Sequence, residues 1–178
     1  MKKILQFTIP IIIVLVIIIF IIFKPNNNQN SENTNLSNVE TLLPLHVSGI
    51  DLENLKTYNL PMIIDFGADE CIPCKQMEPV LEEVHVLMNE KAIIQFVDVW
   101  KNPNAAEGFP VTVIPTQIFI NSDGTPFDVS DKLKKQISGF RKYYNSETKE
   151  LEYTAHVGGL TKRQMLKILE EMGVDIDG

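Results

Sequence analysis

The chain has two cysteines, Cys71 and Cys74, and they fall where one sequence pattern gives way to another. Ahead of them Met62-Ile63-Ile64 runs into Asp65-Phe66, and an apolar, β-branched run of this kind reads as a buried strand. Behind them Val80, Leu81, Val84, Leu87 and Met88 recur at helical spacing and predict one apolar helix face. A strand turning directly into a helix, with both cysteines at the junction, commits the chain to an α/β layout. It also gives the pair a mechanism. Cys71 falls at the helix N-terminus, where unsatisfied N–H groups and the macrodipole stabilise a thiolate. Cys74 falls one turn in, within reach of a mixed disulfide on Cys71, and the thiolate is the attacking species.

Two other uses of a cysteine pair compete with this one. Outside the cytoplasm the pair is also compatible with a plain structural disulfide, although a bridge closing so short a loop restricts the unfolded chain little. A metal site needs more soft ligands than two cysteines, and neither a second pair nor a nearby histidine is present, so no metal and no other cofactor is expected.

Further residues extend the pattern. Asp65 lies six positions before Cys71, Pro79 lies eight after it, and Ile114-Pro115-Thr116 follows later. With the Cys-x-x-Cys pair, these features resemble the active-site segment of the thioredoxin family, over roughly residues 45–125 and 156–173. The resemblance implies a thioredoxin-like α/β fold, a central mixed β-sheet flanked by helices. It implies that Cys71 attacks a substrate disulfide and Cys74 resolves the intermediate. Asp65 would be the buried carboxylate that accepts the Cys74 proton, because burial raises a carboxylate into a usable range; the competing reading is an exposed strand-end aspartate. Pro115 would follow a cis bond, with Ile114 offering its backbone to an extended substrate; the alternative is an ordinary trans proline. Ile72 and Pro73 would sit at the mouth of the site. Gly158 and Gly159 would complete the groove rim, or form a simple turn.

Three departures from the family stand out. Glu70 replaces the tryptophan before the first cysteine and opposes a thiolate on Cys71. The intervening pair is Ile72-Pro73 rather than Gly-Pro. Phe96 occupies the place of the lysine that partners the buried aspartate, so Asp65 is expected to titrate higher. His46, His85 and His156 lie outside the motif and read as surface or satisfied residues.

The first 24 residues differ from the rest. Met1-Lys2-Lys3 is basic, and Ile4 to Phe23 is nearly all Ile, Val, Leu and Phe. About 20 apolar residues span the hydrocarbon core as a helix, so one transmembrane helix, crossing the membrane through residues 4–23, is expected ahead of the folded domain. A signal peptide is the rival reading, but its apolar part is typically about 7–15 residues long with a small-residue cleavage site. Lys2 and Lys3 against Lys24 place the N-terminus in the cytoplasm, which predicts a single-pass bacterial membrane protein with an extracytoplasmic domain. Of 16 basic residues these three flank the span, and the remaining 13 face 23 acidic ones, a net charge of about −10; such a surface argues against nucleic-acid binding.

Residues 25–41 contain an Asn/Ser/Gln-rich stretch that reads as a linker. The domain is expected over 42–178. Leu45-His46-Val47 predicts a short edge strand, Asp51 caps a short helix, and a longer helix runs from about Cys71 to Asn89 through Pro79. Ala92–Val99 and Gln117–Ile120 are strands, a short helix or turn begins at Asn102-Pro103, and Asn121-Ser122-Asp123-Gly124 is a hairpin turn. Relative to the family, residues 127–153 are an insertion, with a short helix at 131–137 and a hairpin from 140–144 and 151–156. Its aromatics Phe140, Tyr143, Tyr144 and Tyr153 either pack together or form a docking surface. Thr161-Lys162-Arg163-Gln164 is a capping box opening a last helix with Met165, Leu166, Ile168, Leu169 and Met172 inside, stopped at Gly173.

The function expected is a membrane-tethered thiol–disulfide oxidoreductase acting on extracytoplasmic disulfide-containing proteins. Pro73 and the lack of a histidine in the pair favour reduction, with electrons from an integral membrane thiol carrier. An oxidase or isomerase is the alternative in direction, and a non-catalytic partner-binding module the alternative in kind.

Overall fold

A computed structural model describes residues 42–176 of the chain. The expected membrane span and the whole of the expected linker lie outside these residues; among the described residues no helix is long and apolar enough to cross a membrane. The order of elements is β1 (His46–Val47), α1 (Leu52–Lys56), β2 (Met62–Gly67), α2 (Ile72–Leu87), β3 (Ile93–Asp98), a 3₁₀ turn (Pro103–Ala106), β4 (Thr116–Ile120), α3 (Asp131–Gln136), β5 (Phe140–Tyr144), β6 (Leu151–Val157) and α4 (Lys162–Glu171).

Six strands form one mixed sheet in the order β1-β3-β2-β4-β6-β5. β1 and β2 run parallel to β3, while β4 is antiparallel to β2 and to β6. β2, β3 and β4 are buried along their whole lengths, as strands covered on both faces must be. One face carries Ile63, Ile94, Phe96 and Phe119 against Met77, Leu81 and Val84 of α2 and Met165, Ile168 and Leu169 of α4. The other carries Met62, Ile64, Phe66, Val97 and Ile118 with Leu55 of α1. This is the thioredoxin-like α/β arrangement with a mixed sheet.

Capping chemistry sets the helix ends. Asp51 Oδ1 accepts from Asn54 N at 3.1 Å, and Thr161 with Gln164 forms the reciprocal capping box. Gly173, at φ +91°, ends the chain's last helix. α2 continues through Pro79. Its buried stripe is Cys74, Met77, Leu81 and Val84, alternating three and four residues apart and leading to Met88. Leu87, expected inside, lies off that line and is exposed.

Beyond β4 the chain departs from the expected hairpin. The turn at Asn121–Gly124 forms, with Gly124 N donating to Asn121 O at 2.9 Å, but the returning chain makes a single bridge, Ile120 to Pro126. The place beside β4 is taken instead by β6, which also pairs with β5, so the hairpin expected within 127–153 is the edge of the main sheet. The four aromatics do not form one cluster. Strand alternation sends Phe140 to the helix-covered face, 5.7 Å from Phe119 between ring centres. Tyr143 and Tyr153 turn to the opposite face, with Tyr153 5.6 Å from Phe109. Tyr144 follows an irregularity in the β5–β6 register and is exposed.

Candidate active site

Cys71 is the N-cap residue of α2 and forms a disulfide with Cys74, their Cα atoms 5.2 Å apart. Pro73 stands in the first turn, where a missing N–H leaves no bond unmade. No acidic residue occupies that turn, so nothing within it offsets the positive end of the helix where Cys71 sits. Both cysteines are largely covered, packed against Ala68 and Ile114. Ile72 between them is 71% exposed, and Pro73 and Glu70 are also exposed.

The Ile114–Pro115 bond is cis. Thr116 Oγ1 donates to Val113 O at 2.7 Å, holding the loop from below. Gly158 N donates to Pro115 O at 2.9 Å, tying the end of β6 to the same loop. Gly158 has φ +104° and open space where a side chain would project; this conformation favours glycine. Cys71, Cys74, Ile114, Pro115 and Gly158 are therefore joined by direct contacts or through one shared loop.

Asp65 lies behind the disulfide and is fully buried. Its Oδ1 accepts from Gln117 Nε2 at 2.7 Å, while Oδ2 has no hydrogen-bond partner. Burial pushes its carboxyl from 3.8 up to about 7, and the Gln117 hydrogen bond offsets only part of that rise. Phe96 stands directly opposite Asp65 on β3 and supplies no charge to lower it again.

Gly67 connects carboxylate to thiol. A Cβ built on it would lie 2.6 Å from Phe96 Cε2, 3.3 Å from Cys74 Sγ and 3.4 Å from Asp65 Oδ2. The ring thus requires glycine here, and the bare backbone at this position looks onto both the sulfur and the unpaired carboxylate oxygen.

A second carboxylate organises the rim. Asp98, at the end of β3, accepts the backbone N–H groups of Asp69 at 3.0 Å, Trp100 at 2.9 Å and Lys101 at 3.0 Å. Burial pushes its carboxyl up, but these three bonds and the Lys101 charge outweigh it and hold the group below its ordinary value. The Lys101 ammonium also pairs with Asp69. The turn before Cys71 and the loop carrying the exposed Trp100 are thereby held by one side chain.

His46 is exposed and His85 Nδ1 lies 3.1 Å from Ile94 O. His156 is buried, with Nδ1 2.8 Å from Gln117 Oε1 and Nε2 2.8 Å from Ser138 O. It is satisfied, as expected, but its partner is the residue that bonds Asp65. Gln117 was missed by sequence reasoning; the available signal was an amide inside an otherwise apolar central strand. Gly67 and Asp98 were also missed as site residues, because their roles depend on Phe96 and on a loop 29 or more residues away.

A family model described as Thioredoxin matches residues 52–142. The thioredoxin of Mycobacterium tuberculosis strain H37Rv is 41% identical over 68 residues, which cover 38% of this chain and 58% of that protein. The thioredoxin of Staphylococcus saprophyticus is 46% identical over 66 residues, covering 37% and 62% respectively. The aligned region thus spans less than two thirds of these relatives. Among solved structures, chloroplastic thioredoxin z aligns at 19% identity with a TM-score of 0.48, covering 74% of this chain and 97% of that one. The Malassezia sympodialis thioredoxin aligns at 18% identity and a TM-score of 0.47, covering 75% and 96%.

Proposed function

From the premise that this chain belongs to the thioredoxin family, we propose that it is a membrane-tethered thiol–disulfide oxidoreductase that reduces extracytoplasmic protein disulfides through Cys71 and Cys74. The observation that carries the reading is the disulfide at the N-terminus of α2 with the unpaired oxygen of buried Asp65 behind it. Tethering rests on the apolar run over residues 4–23 and its lysine flanks.

Reduction begins from the dithiol. The Cys71 thiolate attacks one sulfur of the substrate disulfide; a new S–S bond forms to Cys71 and the substrate bond breaks, releasing one substrate thiolate that takes a proton from solvent. Asp65 then accepts the Cys74 proton. The Cys74 thiolate attacks Cys71 Sγ, forming the Cys71–Cys74 bond seen in this structure and expelling the second substrate thiolate, which is protonated in turn. Two electrons have passed to the substrate. A dithiol donor, here an integral membrane thiol carrier, returns them by the same exchange in reverse. Exposed Ile72, the Ile114–Pro115 loop and Gly158 provide an apolar, backbone-rich rim for an extended chain.

The test is trapping combined with a potential. Cys74→Ser should accumulate reductant-sensitive covalent complexes with extracytoplasmic proteins, and Cys71→Ser should not; equal trapping by both would reverse the assigned roles. Equilibrated against glutathione, the couple should lie nearer to roughly −270 mV than to roughly −120 mV. A midpoint above about −180 mV would overturn reduction in favour of oxidation or isomerisation. Failure to trap partners or reduce any disulfide would leave a binding module.

A further inference from the structure

Three side chains on the central strands stand in one line. Strand register sets Asp65 beside Gln117 and Gln117 beside His156, and all three are buried. The contacts run from Asp65 Oδ1 to Gln117 Nε2 at 2.7 Å, from Gln117 Oε1 to His156 Nδ1 at 2.8 Å, and from His156 Nε2 to Ser138 O at 2.8 Å.

The hydrogen count limits what this line can hold. Gln117 Oε1 and Ser138 O accept only, so an imidazole facing both must donate from both nitrogens and is an imidazolium. A neutral ring would set a nitrogen lone pair against an oxygen at one of the two contacts. Opposite it, Asp65 accepts from the amide as a carboxylate. The same amide turned end for end serves the reverse case. Protonated Asp65 then donates to Oε1, Nε2 donates to Nδ1 of a neutral imidazole, and that ring's Nε2–H still bonds Ser138 O. Both arrangements hold one proton between the two residues and satisfy the contacts among Asp65, Gln117, His156 and Ser138; the second gives up only the weak bond that Gln117 Nε2 donates to Met77 Sδ at 3.8 Å. A buried polar group left facing the wrong partner costs about 1–3 kcal/mol, so the arrangements between them are disfavoured.

We propose that Gln117 is a two-position coupler, so that the charge of His156 sets the charge of the carboxylate beside Cys74. His156 is then a positioning residue for Asp65. The functional part of this inference rests on the reading that Asp65 serves Cys74.

The surroundings leave these two groups to answer to one another. Asp65 faces Gln117 from β4, the Phe96 ring from β3 and Cys74 from α2. His156 faces Gln117, the Ser138 carbonyl, the Phe140 ring edge at 5.4 Å and the Gly158 backbone. On the same face of β5 lies Lys142, whose ammonium is held by Asp128. α2 and α4 turn Met77, Leu81, Met165 and Ile168 toward this face. His46 stands exposed at the sheet's far edge, beyond Phe96. Burial raises Asp65 to about 7 and lowers His156 below its ordinary value, so it disfavours the charged form of both groups.

The experiment follows both groups by nuclear magnetic resonance, using the labelled full chain in detergent from pH 4 to 9. In the wild type the Asp65 carboxyl and the His156 ring should titrate as a pair, each curve carrying both steps. Asp65→Asn should move the His156 midpoint to lower pH by about one unit or more, and His156→Gln should move the Asp65 midpoint up by a similar amount. In His156→Gln the resolution step should slow about three- to tenfold at pH 6.5 and match the wild type at pH 9. Independent single-step curves in the wild type, or a His156 midpoint unmoved by Asp65→Asn, overturn the coupler, and neither measurement needs His156→Gln to fold. If the wild-type chain reduces no disulfide while the paired titration stands, the oxidoreductase reading fails and the coupler holds.

Discussion

Replacing Asp65 by asparagine should make the fold more stable, by an amount that grows with pH. In the folded protein the carboxyl titrates near 7 rather than 3.8, chiefly because burial penalises its charged form. A folded value above the unfolded one means that the native state holds a proton between those two values which the unfolded chain has released. Stability therefore falls as pH rises through that window and stays lowered above it. About 3 units at about 1.4 kcal/mol each gives about 4 kcal/mol lost on going from pH 4 to pH 8. Asparagine has nearly the same shape, never ionises and can still bond the Gln117 amide. Urea unfolding of the wild-type and Asp65→Asn chains at matched pH values reads the effect, because groups other than His156, whose titration is tied to Asp65, cancel in the difference. The gap should be small at pH 4, widen through pH 5 to 7, and level off near 4 kcal/mol. A gap that does not change with pH, or that favours the wild type at pH 8, would refute the reasoning.

The remaining predictions concern the supports of the site. Gly67→Ala should destabilise by about 1–3 kcal/mol, as overpacking does, because its methyl meets the Phe96 ring; an added Phe96→Leu should recover part of the lost urea midpoint. Asp98→Ala should cost about 1–3 kcal/mol at pH 7 by leaving backbone donors without their acceptor. Since the Asp98 carboxyl is held below its ordinary value, the wild type should lose this support only as pH falls through that lowered value, and thermal melts of the variant should lack the acid-side drop. Protease added to intact spheroplasts should digest the domain while residues 1–24 stay in the membrane; protection of the domain would overturn the proposed topology.

How much of this was legible in the sequence follows from how local each signal is. The strand before Cys71, the helix after it, the Asp51 cap and the capping box at Thr161 all depend on residues within a turn or two, and each formed as read. The edge hairpin also followed from its alternation and turn residues. The pairing of β4 with β6 did not, because the two strands stand at opposite ends of a long intervening segment and only the folded sheet brings them side by side. Leu87 was misplaced because two residues at the end of a stripe compete for one inward position. In the site, Cys71 and Cys74 could be found from their spacing at a strand-to-helix junction, and Asp65 from the family resemblance. Gln117 and His156 could not, since only strand register brings an amide between a carboxylate and an imidazole that lie 91 residues apart in sequence. The aromatic residues of the insertion show the same limit: alternation divides them between faces, but only the sheet says which face meets which core.

The sheet's two margins also govern how crowded copies behave. A β-sheet grows wherever a long, flat margin offers unused backbone groups to another chain. Here β1 is two residues long. On the other side β5 carries Arg141 and Lys142 and a register irregularity at Tyr143/Tyr144, and cationic side chains and a local twist both discourage a further strand. Neither margin is a good template, so copies at high local concentration have little means of fibre growth through their sheets.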